Sequence, residues 1–84
     1  MKISIEYCTS WGYDMEALRV RESLEQKFGL EVEMIKGSGG IFRVMYHHTS
    51  NANSLLFSKE VENRFPNPGE IESLIEGLQE VSWQ

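Results

Sequence analysis

Eighty-four residues with a formal net charge of −5, 40% hydrophobic and 25% charged, describe one globular domain over 1–84 and exclude a disordered chain. The acid excess, with no basic stripe, argues against nucleic acid and anionic membranes as partners. No apolar run approaches the roughly 18 residues of a membrane span, and the alternating start Met1–Glu6 is unlike a signal peptide.

A chain this short buries roughly 60–65% of its unfolded surface, so no large internal ligand cavity is expected. The single cysteine, Cys8, cannot form an internal disulfide, which favours a cytoplasmic home. A zinc site would need about four ligands at recognisable spacing, and none is visible.

Ile3, Ile5 and Tyr7 alternate with polar neighbours, which predicts a half-buried strand over 2–7. Cys8-Thr9-Ser10-Trp11-Gly12 breaks that pattern and reads as a loop, with Asp14 as the expected helix N-cap. Ala17, Val20, Leu24 and Phe28 then recur at helical spacing and predict an amphipathic helix over 14–28, stopped by Gly29. Leu30, Val32 and Met34 alternate and lead to Ile35, a second strand. Gly37-Ser38-Gly39-Gly40 is a flexible turn. Ile41–His47 reads as a third strand, Thr49–Asn53 as a polar turn and Ser54–Lys59 as a fourth strand.

Asn67 as N-cap, Pro68 at the first helical position and Glu70 three residues after the cap announce a second helix. Ile71, Leu74, Ile75, Leu78 and Val81 would line its inner face. The order β-α-β-β-β-α predicts a parallel crossover followed by antiparallel hairpins. The expected fold class is α/β (α+β), a thioredoxin-like two-layer sandwich on a four-stranded mixed sheet.

Cys8 lies a few residues before the predicted helix. A helix N-terminus offers N–H groups and partial positive charge, which favour a thiolate. The plainer reading is a small buried hydrophobe at a strand end.

Tyr7-Cys8-Thr9-Ser10-Trp11-Gly12-Tyr13 resembles the Y-C-x-x-(U or C)-x-[YW] segment of the selenoprotein W-like, or Rdx, family, where U is selenocysteine. Gly39-Gly40-Ile41-Phe42-Arg43-Val44 is similar to that family's G-G-x-F-x-V strand. Leu56-Phe57-Ser58-Lys59 is similar to its I-F-S-K/R strand, and Arg64-Phe65-Pro66 to its G-F-P segment. The resemblance implies a thioredoxin-like fold and thiol redox chemistry, with protein thiols or disulfides, or glutathione, as partners.

The family's cysteine carries over onto Cys8 and its second redox position onto Trp11. Thr9, Ser10, Gly12 and Tyr13 complete the motif loop. Trp11 is the departure, because indole neither attacks nor leaves as a thiolate does. Without a second sulfur or selenium the dithiol cycle cannot close within one chain. Three consequences stand open. Cys8 works alone through a mixed disulfide, with glutathione as co-substrate and no prosthetic group. Trp11 stands where selenocysteine is encoded, since UGA and UGG differ by one base. Or redox activity is lost and the loop around Trp11 binds partners, tryptophan being enriched at binding hot spots. Any redox role requires the lone sulfur to be ionised and reachable.

The remaining candidates read more simply. His47 and His48, adjacent on a strand, point to opposite faces and cannot easily share a metal. The glycine-rich turn lacks the phosphate-loop pattern and precedes a strand. Ser10 has no hydrolase motif around it. Asp14 and Glu16 are helix-start charges. Lys59 and Arg64 are solvated charges or a weak attractor for an anionic thiol. Trp83 either covers the core or is exposed.

Overall fold

The computed structural model describes residues 2–48 and 52–82. Most of the expected polar turn 49–53, and Trp83, lie outside them, as does the side chain of Val81. The elements are β1 (Lys2–Cys8), α1 (Asp14–Phe28), β2 (Glu31–Gly37), β3 (Phe42–His47), β4 (Asn53–Ser58), α2 (Lys59–Glu62) and α3 (Glu70–Ser82). The sheet order is β2-β1-β3-β4. β1 runs parallel to β2 and antiparallel to β3, and β4 is antiparallel to β3. The mixed sheet and its parallel crossover are those expected from the sequence.

Strand alternation sorts β1 into two faces. Ile3, Ile5 and Tyr7 enter the core with Val44, Tyr46 and Phe42, their register partners on β3. Ala17, Val20 and Leu24 of α1 and Ile71 and Ile75 of α3 close the same core, so both long helices lie on one side of the sheet. Each such fully buried side chain contributes about 1.5–3 kcal/mol of transfer free energy. The even positions of β1 face the other side. There Lys2 pairs with Glu33 at 3.1 Å and Glu6 with Arg43 at 3.7 Å.

α1 spans the expected residues, and Gly29 ends it in the left-handed region at φ 63°, donating its N–H to the Glu25 carbonyl at 3.0 Å. The N-cap differs: Tyr13, not Asp14, holds that position, with no side-chain cap. Gly12, at φ 75°, turns the chain one residue earlier, so Asp14 is already helical.

α3 begins at Glu70, and its carboxylate accepts the Asn67 N–H at 2.9 Å, the reach-back half of a capping box. Leu74, placed on the inner face by periodicity, is 41% exposed. At 100° per residue it sits about 60° off the direction set by Ile71, Ile75 and Leu78. The fourth strand stops at Ser58, and Lys59 opens α2 instead of ending β4. α2 buries no residue, so periodicity could not announce it. Its end is set by Asn63 in the left-handed region at φ 59°.

Aromatic side chains tie the later motif segments to the loop before α1. Phe65 meets Tyr13 edge-on at 4.8 Å and Phe42 at 5.3 Å between centroids, and Phe42 meets Phe57 at 6.4 Å. This cluster fixes Tyr13, and with it one end of the cysteine loop.

Candidate functional site

Cys8 is the last residue of β1, one residue beyond the expected strand end. By alternation its side chain belongs with Lys2, Ser4 and Glu6 and not with the helix-covered core, and the contiguous core cluster does not include it. It is nonetheless 0% exposed. The sequence reading required a reachable sulfur at the sheet rim; in this conformation the residue is closed off from solvent.

Two segments meet around it. Cys8 stands opposite Gly37 in the β1–β2 register. Its N–H donates to the Ile41 carbonyl at 2.8 Å, and the Thr9 N–H to the Gly37 carbonyl at 3.4 Å. On the other side, the Gly12 N–H donates to the Thr9 carbonyl at 3.3 Å and the Tyr13 N–H to the Cys8 carbonyl at 3.2 Å. Residues 9–12 thus form a tight turn with exposed Thr9, Ser10 and Gly12 and half-buried Tyr13. The Tyr13 amide is spent on the Cys8 carbonyl, and Asp14 and Glu16 already occupy the first turn of α1. Part of the positive potential expected to favour a thiolate is therefore taken by carboxylates.

Trp11 is 63% exposed, the exposure expected of it from the motif resemblance. Its indole lies against Gly40: a Cβ there would come within 2.8 Å of Cε3 and 3.0 Å of Cη2, and closer still to Cζ3. Trp11 also meets Tyr13 edge-on at 6.1 Å. Gly39 and Gly40 both lie in the left-handed region, at φ 69° and 78°. Gly37 lacks a side chain for a related reason. A Cβ there would stand 2.6 Å from Cγ2 of Ile41 and 3.2 Å from Cγ of Glu6. The sequence marks this segment as a flexible turn; its backbone bonds to Cys8 and Thr9 and its contact with Trp11 are not foreseen there. The glycine doublet was the available signal.

The histidines are held by hydrogen bonds. Ser4 Oγ lies 2.8 Å from His47 Nε2, and His47 Nδ1 lies 2.8 Å from Asn53 Oδ1. His48 Nε2 lies 2.8 Å from Ser54 Oγ. No cluster able to hold a metal ion occurs among the described residues. Lys59 Nζ sits 5.5 Å from the ring centroids of both Tyr13 and Phe65. Arg64 is engaged by Glu70, so neither cation is the unattached surface charge the sequence suggested. Two surface grooves, one lined by Arg19, Ser23 and Glu72 and one by Met15, Leu18 and Glu22, include neither Cys8 nor Trp11. No helix among the described residues is long and apolar enough to cross a membrane.

Comparison with known proteins agrees with the fold. A structure of a protein from Bordetella parapertussis is 27% identical, covers 90% of this chain and 94% of its own, and superposes with a TM-score of 0.77. The structure of a selenoprotein W-related protein from Vibrio cholerae, at 17% identity, shares the fold with a TM-score of 0.78 over 92% of this chain and 94% of its own. No curated protein matches. The model of the Rdx family matches residues 2–77, nearly the whole chain, and the protein belongs to that family.

Proposed function

We propose that this protein is a thiol-redox protein of the reducing cytosol that works through one sulfur, Cys8. The observation that carries the reading is the place of Cys8: the last residue of a central strand, joined by a four-residue turn to Tyr13 and α1. The C-x-x-W form of the motif sets the chemistry. Cys8 loses its proton to solvent, and the thiolate attacks one sulfur of a disulfide such as oxidised glutathione. A Cys8–S–S bond forms, the old S–S bond breaks, and the second sulfur leaves as a thiolate. Trp11 cannot resolve the product, so an external thiol attacks the mixed disulfide and restores Cys8.

The test is direct because the chain holds one thiol. Incubation with oxidised glutathione should add the mass of one glutathione, removable by a dithiol reductant, and Cys8→Ser should abolish the adduct. A folded protein whose mass never changes would overturn the reading. Mass spectrometry of position 11 in protein from its source tests in parallel whether tryptophan is the native residue there.

A second reading is favoured by the contrast between a closed Cys8 and an exposed Trp11. In it the domain binds a partner through the loop around the indole and does no redox chemistry. The two readings part on the glutathione experiment.

A further inference from the structure

We propose that the turn from Gly37 to Ile41 is a hinged lid over Cys8 and that Trp11 is its latch; this rests on the redox reading of Cys8 and concerns how that thiol is reached. The geometry begins at Gly37. It pairs with Cys8 in parallel register, so the missing side chain of Gly37 would project to the same face as the cysteine. Cγ2 of Ile41 takes that space, beside Cγ of Glu6, another residue of the same face. Ile41 is thus folded down onto the end of β1 where the cysteine points. The long helices α1 and α3 pack on the other side of the sheet, Cys8 is 0% exposed, and the turn is the segment that we infer covers it.

The lid has a hinge and few ties. Gly39 and Gly40 sit at positive φ and can absorb large backbone rotations at little steric cost. Besides the strand pairing of Cys8 with Gly37, the backbone ties to the cysteine segment include Cys8 N–H to Ile41 carbonyl and Thr9 N–H to Gly37 carbonyl, the second a long 3.4 Å. Beside the packing of Ile41 near Gly37 and Glu6, the turn is held by the indole of Trp11 against Gly40, made from an exposed turn. Removing that contact should release the lid without touching the helix-side core. Local opening of such a weakly tied segment costs less than global unfolding.

The experiment is the alkylation rate of Cys8 by iodoacetamide, read by whole-protein mass, for wild type, Trp11→Ala, Gly40→Ala, the double variant and Leu18→Ala. Thermal melts establish that each is folded. Wild type should react far more slowly than the urea-unfolded chain. Trp11→Ala should react at least about fivefold faster than wild type while remaining folded. Gly40→Ala, whose Cβ displaces the indole, should do the same, and the double variant should add little to either, since both act on one contact. Leu18→Ala, on an exposed face of α1, should leave the rate unchanged.

Equal rates in wild type and both single variants overturn the lid, as does a wild-type rate equal to that of the unfolded chain. Hydrogen exchange of the wild type gives a test free of substitution. The Cys8 and Thr9 amides should exchange faster than those of Ile3 and Ile5 in the same strand; equal protection throughout β1 overturns the proposal. Faster alkylation without any glutathione adduct would sink the redox reading and leave the lid standing.

Discussion

Arg64 holds Glu70 in a two-pronged grip, Nη1 to Oε1 and Nη2 to Oε2, each at 2.7 Å. The guanidinium hydrogen bonds, and then the Asn67 N–H, lower the Glu70 pKa from 4.5 to about 2. A depressed carboxylate pKa means that the unfolded chain takes up the proton first on acidification. The grip stabilises the fold fully above about pH 4.5 and is lost as pH falls toward 2. Glu70→Gln should therefore lose stability at neutral pH and show a flatter decline between these limits. Urea midpoints of both proteins near neutral pH and at about pH 3 check this; parallel declines would refute it.

Ser4 and His47 join the two central strands on the helix-free face, 2.8 Å apart. Ser4 is buried, so Ser4→Ala removes the hydroxyl and deprives one imidazole nitrogen of its partner. A loss of about 1 kcal/mol is expected from denaturant unfolding at neutral pH. Asn53→Ala acts on the exposed side of the same ring and should cost less.

Ile5 and Leu74 are both aliphatic, but they occupy opposite environments. Ile5 is fully buried in the central strand, whereas Leu74 is 41% exposed. Ile5→Ala should cost about 2–5 kcal/mol. Leu74→Ala should fall within about 0.5 kcal/mol of wild type. Equal effects would place the α3 packing face wrongly.

Gly37 leaves no room for a methyl group, because its Cβ would stand 2.6 Å from Ile41. Gly37→Ala should cost about 1–3 kcal/mol through overpacking. Pairing it with Ile41→Ala should not simply add the two losses, since removing the Cγ2 methyl relieves the clash. A double-mutant cycle by denaturant unfolding measures that relief.

The sequence disclosed what local pattern controls. The span of α1, though not its N-cap, was legible because Ala17, Val20 and Leu24 set its period and Gly29 its end. The capping at Asn67 and Glu70 was legible because its chemistry lies within four residues. α2 was hidden, since a single turn with no buried side chain leaves no periodic trace. At the site, the position of Cys8 and the exposure of Trp11 were legible from the motif. The closure over Cys8 was not. The segment from Gly37 to Ile41 that meets the end of β1 lies some thirty residues away in the chain. Composition of a glycine-rich turn says that it bends, not what it bends over.

The placement of β1 between β2 and β3 also shapes how the molecule comes into being. β1 is made before both of its neighbours yet is an inner strand, and Lys2 finds its antiparallel mate only when His47 has been made. The segment as far as His47 must emerge before that apolar ribbon is flanked on both sides. Such long-distance pairing slows acquisition of the native state and leaves Ile3 and Ile5 available to chaperones or to neighbouring nascent chains in the interval.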